Sequence, residues 1–184
     1  AVRVYTVGHT PGGTSGRNTK LQVADTINTT GIYSVVRHPL YLGNVLMYFG
    51  IALLTCNVGF VVASVLLFFL YYERIMYAEE SFLRRKFGEA FSSWASATPA
   101  IFPCLSMFRP SHLPFSWKKV VKKEKNGLAA LLLVFALFDI TGYAVVGVAG
   151  INVTLLAVAF VSIVVYVILK TVKKRTSWLD EAGR

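Results

Sequence analysis

Two long apolar runs alternate with polar, basic stretches along this chain, and the lengths of those runs limit what they can be. From Pro39 to Tyr72 there are 34 residues without Asp, Glu, Lys or Arg. As one helix they would extend about 51 Å, well past a hydrocarbon core of about 30 Å. The run must turn back, and its breakers sit at Thr55-Cys56-Asn57-Val58-Gly59, which predicts two spans, 39–56 and 58–76, joined by a tight turn. A second run, Gly127 to Leu169, holds a single charge, Asp139, and breaks between Gly147 and Asn152. It predicts a second hairpin of 127–148 and 152–171. Between the runs, Leu83, Phe87, Ala90, Phe91 and Trp94 recur on one helical face opposite charged positions, which predicts an amphipathic helix along the interface or over the hairpin mouth. Thr98-Pro99 ends it, and Pro99, Pro103, Pro110 and Pro114 keep the next segment extended or turned.

The expected fold is an all-α integral membrane protein with two transmembrane helical hairpins, four spans in all, and a cytoplasmic amphipathic helix. Residues 1–30 read as the tail of a further N-terminal span, truncated, followed by a polar cytoplasmic loop rich in Gly, Thr, Ser and Asn. Residues 31–103 hold the first hairpin, the amphipathic helix and the Pro segment; 104–126 form a basic cytoplasmic linker; 127–184 form the second hairpin and a basic tail. Gly12-Gly13-Thr14-Ser15-Gly16-Arg17 lacks the Gly-Lys-Ser/Thr ending of a phosphate loop and has no strand before it.

Composition agrees, since 55% hydrophobic and 15% charged residues are too apolar for an ordinary soluble domain of 184 residues. The net charge of +10 adds an orientation. The turns near 57 and 150 hold no basic residue while every other connection does, so the basic segments are assigned to the cytoplasm. Anionic headgroups account for the charge, and no zinc-finger, helix-turn-helix or aromatic RNA-binding pattern accompanies it, so no nucleic-acid partner is expected. On this topology Cys56 and Cys104 lie on opposite faces and do not pair. Neither has metal-ligand spacing, the three histidines are scattered, and no metal is expected.

Chemistry concentrates between Gly31 and Gly43, where Tyr33, Arg37, His38 and Tyr41 precede or open the first span. Pro39 suits the first turn of a helix, having no N–H to leave unpaired and a helical φ. Arg37 and His38 then stand at a helix N-terminus, which favours an anionic ligand through its unpaired N–H groups. A plainer reading has Arg37 snorkelling to the interface and His38 solvated. Folding the hairpin brings this mouth opposite Arg74, Glu79 and Glu80 at the same membrane face, a combination suited to a zwitterionic small molecule. Against that, Glu80 and Arg84 can pair at i,i+4 and leave Glu79 solvated.

The motif Arg37-His38-Pro39-x-Tyr41-x-Gly43, followed by Glu79-Glu80-x-x-Leu83-x-x-x-Phe87-Gly88 and then Pro99 to Pro103, resembles the isoprenylcysteine carboxyl methyltransferase and phospholipid methyltransferase superfamily. The resemblance covers residues 31–103. It implies an integral membrane enzyme that transfers a methyl group from S-adenosylmethionine to a lipid or lipidated acceptor, with Arg37, His38, Pro39, Tyr41, Gly43, Glu79 and Glu80 around the cofactor; Tyr33, a polar group of the same stretch, is added to the cofactor-binding set. The catalytic assignments are Arg37, His38 and Arg74. Glu79 or Glu80 would take the cofactor's hydroxyl, amino or sulfonium groups and His38 with the helix N-terminus its carboxylate, while Arg37 or Arg74 would hold an anionic acceptor or lipid phosphate. For an amine acceptor, His38 would take the proton. Phe91 and Trp94 stand where the family often has Tyr, Thr98 where Val is usual, and the second hairpin lies outside the shared core. A prokaryotic inner membrane with the site facing the cytoplasm completes the expectation. Steroid and sterol reductases share a His-Pro-x-Tyr-x-Gly-like stretch, so a nicotinamide-dependent reductase is the alternative enzyme, and a non-enzymatic membrane scaffold the alternative outside catalysis.

Overall fold

The computed structural model describes residues 1–13, 24–147 and 150–181, and among these the chain is all-helical, without named strands. Much of the polar loop expected over 9–30, with the glycine cluster and the basic residues Arg17 and Lys20, lies outside the described residues. The chain forms two compact units, divided between Ser116 and Trp117.

The first unit holds four helices: α1 (Val2–His9), α2 (Pro39–Leu53), α3 (Val58–Phe87) and α4 (Glu89–Ala97). Pro39 is the first residue of α2 and His38 its N-cap. Short-range bonds tighten the end of α2, including Thr55 N–H to Ala52 O at 3.1 Å, and Cys56 takes a left-handed φ of 49°. Asn57 then caps α3 by accepting from the Phe60 N–H at 2.9 Å. This is the predicted turn, but the spans differ from 39–56 and 58–76. With 15 residues α2 extends only about 22 Å, less than a hydrocarbon core, whereas α3 has 30 residues and extends about 45 Å. The short turn bonds close α2 early, and nothing between Leu70 and Phe87 stops α3.

Gly88 does stop it. Its φ of 54° is open to glycine, and its N–H reaches Arg84 O at 2.9 Å, over a last turn rich in Arg84, Arg85 and Lys86 that suits the negative helix end. The face expected to run unbroken from Leu83 to Trp94 is therefore split: Leu83 and Phe87 finish α3, while Phe91 and Trp94 belong to α4, with Phe91 fully buried. The periodicity was continuous through Gly88 only because apolar spacing takes no account of φ.

After α4 the proline segment returns to residues 31–38. Arg37 and His38 donate their N–H groups to Pro99 O and Ala100 O at 2.8 and 3.2 Å, Cys104 N–H reaches Val35 O at 3.0 Å, and Gly31 N–H reaches Arg109 O at 2.8 Å. Pro supplies no N–H but its carbonyl still accepts, so an extended Pro-rich strip can hold the approach to α2 in place. Residues 104–116, expected in a linker, are thus part of this unit, and Ser116 N–H closes it on Gly8 O at 2.9 Å.

The second unit is an antiparallel pair, α5 (Trp117–Thr141) and α6 (Val153–Arg175), joined through a π-turn at Gly142–Val146. The basic residues 118–125, assigned to the linker, are the first turns of α5. Ala129 and Ala136, seven residues apart on α5, and Ala159 on α6 are buried, as expected where small side chains let helices approach. Long apolar side chains such as Leu133, Leu137, Phe160 and Val161 point outward. Three helices, α3, α5 extended to Val145, and α6, are long and apolar enough to cross a membrane. The protein is an integral membrane protein on that account.

Candidate active site

Helical periodicity builds the site from two facing stripes. On α2, Tyr41, Asn44 and Tyr48 follow at i, i+3 and i+7; on α3, Phe68, Tyr72 and Glu79 share a face at i, i+4 and i+11, with Glu80 the next residue along. Where the stripes meet, aromatic rings pack. Tyr48 and Phe68 centroids are 5.9 Å apart, Phe68 stacks on Tyr72 at 4.1 Å, and Tyr72 approaches Tyr41 at 4.9 Å.

At one end the packing becomes ionic. His38 Nε2 lies 2.8 Å from Glu80 Oε1, and Nδ1 of the same ring lies 3.8 Å from Glu79 Oε2. The Tyr41 hydroxyl donates to Glu79 Oε1 at 2.6 Å, and Arg37 reaches Glu80 Oε2 at 3.4 Å. The imidazole stacks on the Tyr41 ring with centroids 5.5 Å apart. Burial is graded: His38 is 7% exposed, the Glu80 side chain 20% and that of Glu79 39%. One carboxylate is held among protein groups and the other is open to solvent. An ionised carboxylate only accepts, so the His38 Nε2–H donates to Glu80, and Nδ1 is the nitrogen left facing Glu79. The Arg37 Nε is buried and has no hydrogen-bond partner among the described residues. A buried N–H is costly unless something accepts from it.

The structure thus joins Arg37, His38, Tyr41, Glu79 and Glu80, as the sequence suggested, and Glu80 pairs across helices. Tyr33 sits half-buried in the turn Ile32–Ser34 that leads to them. Pro39 is fully buried at the start of α2. Gly43 turns away from the carboxylates and lies against α1, where a Cβ would come within 2.4 Å of Arg3 Cγ. Arg74 is exposed and makes no hydrogen bond or ion pair among the described residues. Six residues before Glu80, it is turned about 240° around α3 and faces away. Sharing a membrane face brings residues to one level, and the helical phase then decides which of them meet.

Two participants were missed. Asn44 donates to the Tyr72 hydroxyl at 2.9 Å and accepts from Arg3 of α1, extending the network behind Tyr41. Asn44 was discoverable, because it stands three residues after Tyr41 on an otherwise apolar helix. Arg3 was not, since no local pattern links residue 3 to residue 44.

This histidine, tyrosine and carboxylate cluster lies inside the stretch, residues 13–90, over which the chain matches the phospholipid methyltransferase family. Among its relatives, the cobalt-zinc-cadmium resistance protein CzcN of Cupriavidus metallidurans is 39% identical over 46% of this chain and 39% of its own length. The nickel-cobalt-cadmium resistance protein NccN of Alcaligenes xylosoxydans is 41% identical over 44% of this chain and 38% of its own length. Protein-S-isoprenylcysteine O-methyltransferase B of Arabidopsis thaliana is 32% identical over 41% and 38%. The match spans well under half the length of these relatives. No solved structure matches the chain.

Proposed function

We propose that the first unit is an S-adenosylmethionine-dependent methyltransferase acting on a lipid or lipidated acceptor at the cytoplasmic face of a prokaryotic inner membrane. The observation that carries this reading is the cluster itself, in which His38, Tyr41, Glu79 and Glu80 bond within 2.6–2.8 Å around a partly open carboxylate, inside the segment the family model matches. The residues suit the cofactor's chemistry. The open Glu79 carboxylate can accept from ribose hydroxyls or an ammonium, and the unpartnered Arg37 Nε can donate to an amino-acid carboxylate. When bound, S-adenosylmethionine supplies an electrophilic methyl group on a sulfonium.

The chain's own part is positioning, because an in-line displacement needs the acceptor at about 3–3.5 Å, aligned and shielded from water. A carboxylate acceptor needs no base. For an amine acceptor, the Nδ1 lone pair of His38 takes the proton, and the resulting imidazolium stands between the Glu80 and Glu79 carboxylates. Of the two sequence-derived arginines, the structure favours Arg37 for an anionic group and leaves Arg74 for a lipid phosphate outside the cluster.

The names of CzcN and NccN suggest a setting in metal-ion resistance. Among the described residues no group of three or more His, Cys, Asp or Glu side chains is arranged to hold a metal ion, and the acids of the cluster are engaged with His38, Tyr41 and Arg37.

Calorimetric titration of the purified protein in detergent, against S-adenosylhomocysteine and against reduced nicotinamide dinucleotide phosphate, tests the reading. Micromolar binding of the first alone supports it. Binding of the second alone would replace it with a reductase, and binding of neither would leave the scaffold.

A further inference from the structure

We propose that the end of the second unit where α5 begins and α6 finishes is a binding site for phosphate borne by anionic phospholipids. The antiparallel arrangement brings the first turns of α5 beside the last turns of α6. Residues 118–125 and 170–181 hold nine basic residues against three acidic ones, Glu124, Asp180 and Glu181, a net charge of +6. The opposite end of the hairpin, residues 139–153, carries Asp139 alone. Most of the charge excess of a chain of net charge +10 is therefore gathered at one end of one helix pair.

The chain beyond α6 is folded onto that end. Asp180 N–H turns back to Ser177 O at 2.8 Å, Leu179 is buried, and Asp180 forms an ion pair with Lys122 of α5. Lys118 Nζ stands 6.0 Å from the Trp178 ring centroid, and Lys170 Nζ stands 5.6 Å from that of Tyr166. Trp117 and Trp178 remain 69% and 64% exposed beside the cations. A merely solvated charged face needs no aromatic collar, whereas indole rings interleaved with lysines next to two apolar helices are the composition of a headgroup layer.

Like charges gathered this closely repel, and three acids offset only a third of nine cations. What those acids do not offset is met from the surroundings, by mobile ions or by anionic headgroups. The apolar stretches 127–138 and 154–169 continue from the basic turns without interruption, so the ligand nearest to hand is the phosphate of a membrane lipid. Nucleic acid would meet the same cations, but only by displacing that headgroup layer. This site lies outside residues 13–90 and does not depend on methyl transfer.

Tryptophan quenching tests the site. In a Trp94→Phe background the emission comes from Trp117 and Trp178, and the full chain in neutral detergent is titrated with brominated phosphatidylglycerol or brominated phosphatidylcholine. Half-quenching is expected at a mole fraction at least threefold lower for phosphatidylglycerol. The preference should vanish in the combined variant Lys123→Gln, Lys173→Gln, Lys174→Gln, persist when the same three become Arg, and shrink as salt is raised. Lys122 is left in place so that the Asp180 contact survives, and the Arg variant controls for folding. Equal quenching by the two lipids, or an unaltered preference in the Gln variant, overturns the proposal. Loss of quenching on adding inorganic phosphate at the lipid's own concentration would assign the site to free phosphate and overturn it as a lipid site.

Discussion

His38 and Glu80 meet at 2.8 Å, Nε2 to Oε1, although 42 residues separate them in the chain. The contact ties the N-cap of α2 to the far part of α3 and fixes which imidazole nitrogen faces outward. His38→Ala and Glu80→Gln should each weaken S-adenosylhomocysteine binding at least tenfold, about 1.4 kcal/mol, measured calorimetrically in detergent. Unchanged affinity in both, with melting curves showing folded protein, would remove the cofactor assignment.

The Tyr41 hydroxyl holds one oxygen of Glu79 at 2.6 Å and its ring supports the imidazole. Tyr41→Phe deletes only the hydroxyl, which aims the carboxylate. Cofactor affinity is expected to fall about fivefold, near 1 kcal/mol, while the melting temperature moves little. A melting shift with full affinity would make the bond a matter of folding alone.

Gly43 is where α1 comes closest to α2. A methyl there would meet Arg3 Cγ at 2.4 Å and Arg3 N at 3.4 Å, so Gly43→Ala should lower stability by about 1–3 kcal/mol through crowding. In an Arg3→Ala background the Cγ and Cδ contacts are gone, and the same substitution should cost less. Denaturation of all four members of this double-mutant cycle measures the difference. Additive losses would show that the two residues do not press on each other.

Counted from Gly127, where the second apolar run opens, Asp139 is twelve residues on, near the middle of a membrane-length span. Because α5 begins at Trp117, Asp139 instead lies close to the end of that helix, and its Oδ2 accepts from the Asn152 N–H at 2.8 Å, where Asn152 in turn caps α6. Asp139→Asn keeps an acceptor and should be mild. Asp139→Leu removes the acceptor of an exposed N–H and should cost about 0.5–1.5 kcal/mol in thermal unfolding, with cofactor affinity unchanged. A loss of affinity in Asp139→Asn at full stability would overturn the capping role.

Cys56 is exposed at the turn between α2 and α3, and Cys104 is half-buried beside Val35; both are free thiols. On the proposed orientation, which follows the basic-residue asymmetry, the first would lie outside and the second in the cytoplasm. A membrane-impermeant thiol reagent applied to intact cells should modify Cys56 and spare Cys104. The reverse pattern would invert the orientation and move the cluster to the outer face.

Apolar run length, the breakers at 55–59 and 147–152, and the helix-starting Pro39 were enough to place α2, α3, α5 and α6, because membrane-length apolar runs have few alternatives to helix. The spacing of Arg37, His38 and Tyr41 from Glu79 and Glu80 was equally legible, since a hairpin must return its second arm to the level of its first. Helical phase and long-range packing were not. Tertiary structure turned Arg74 away, set Gly43 against Arg3, brought Asn44 to Tyr72, and returned the proline strip to residues 31–38. Hydrophobic patterning records which stretches are apolar enough to be membrane helices. Which side chain of one helix meets which of another depends on rotation about the helix axis, at about 100° per residue, and that angle is fixed only when the helices pack.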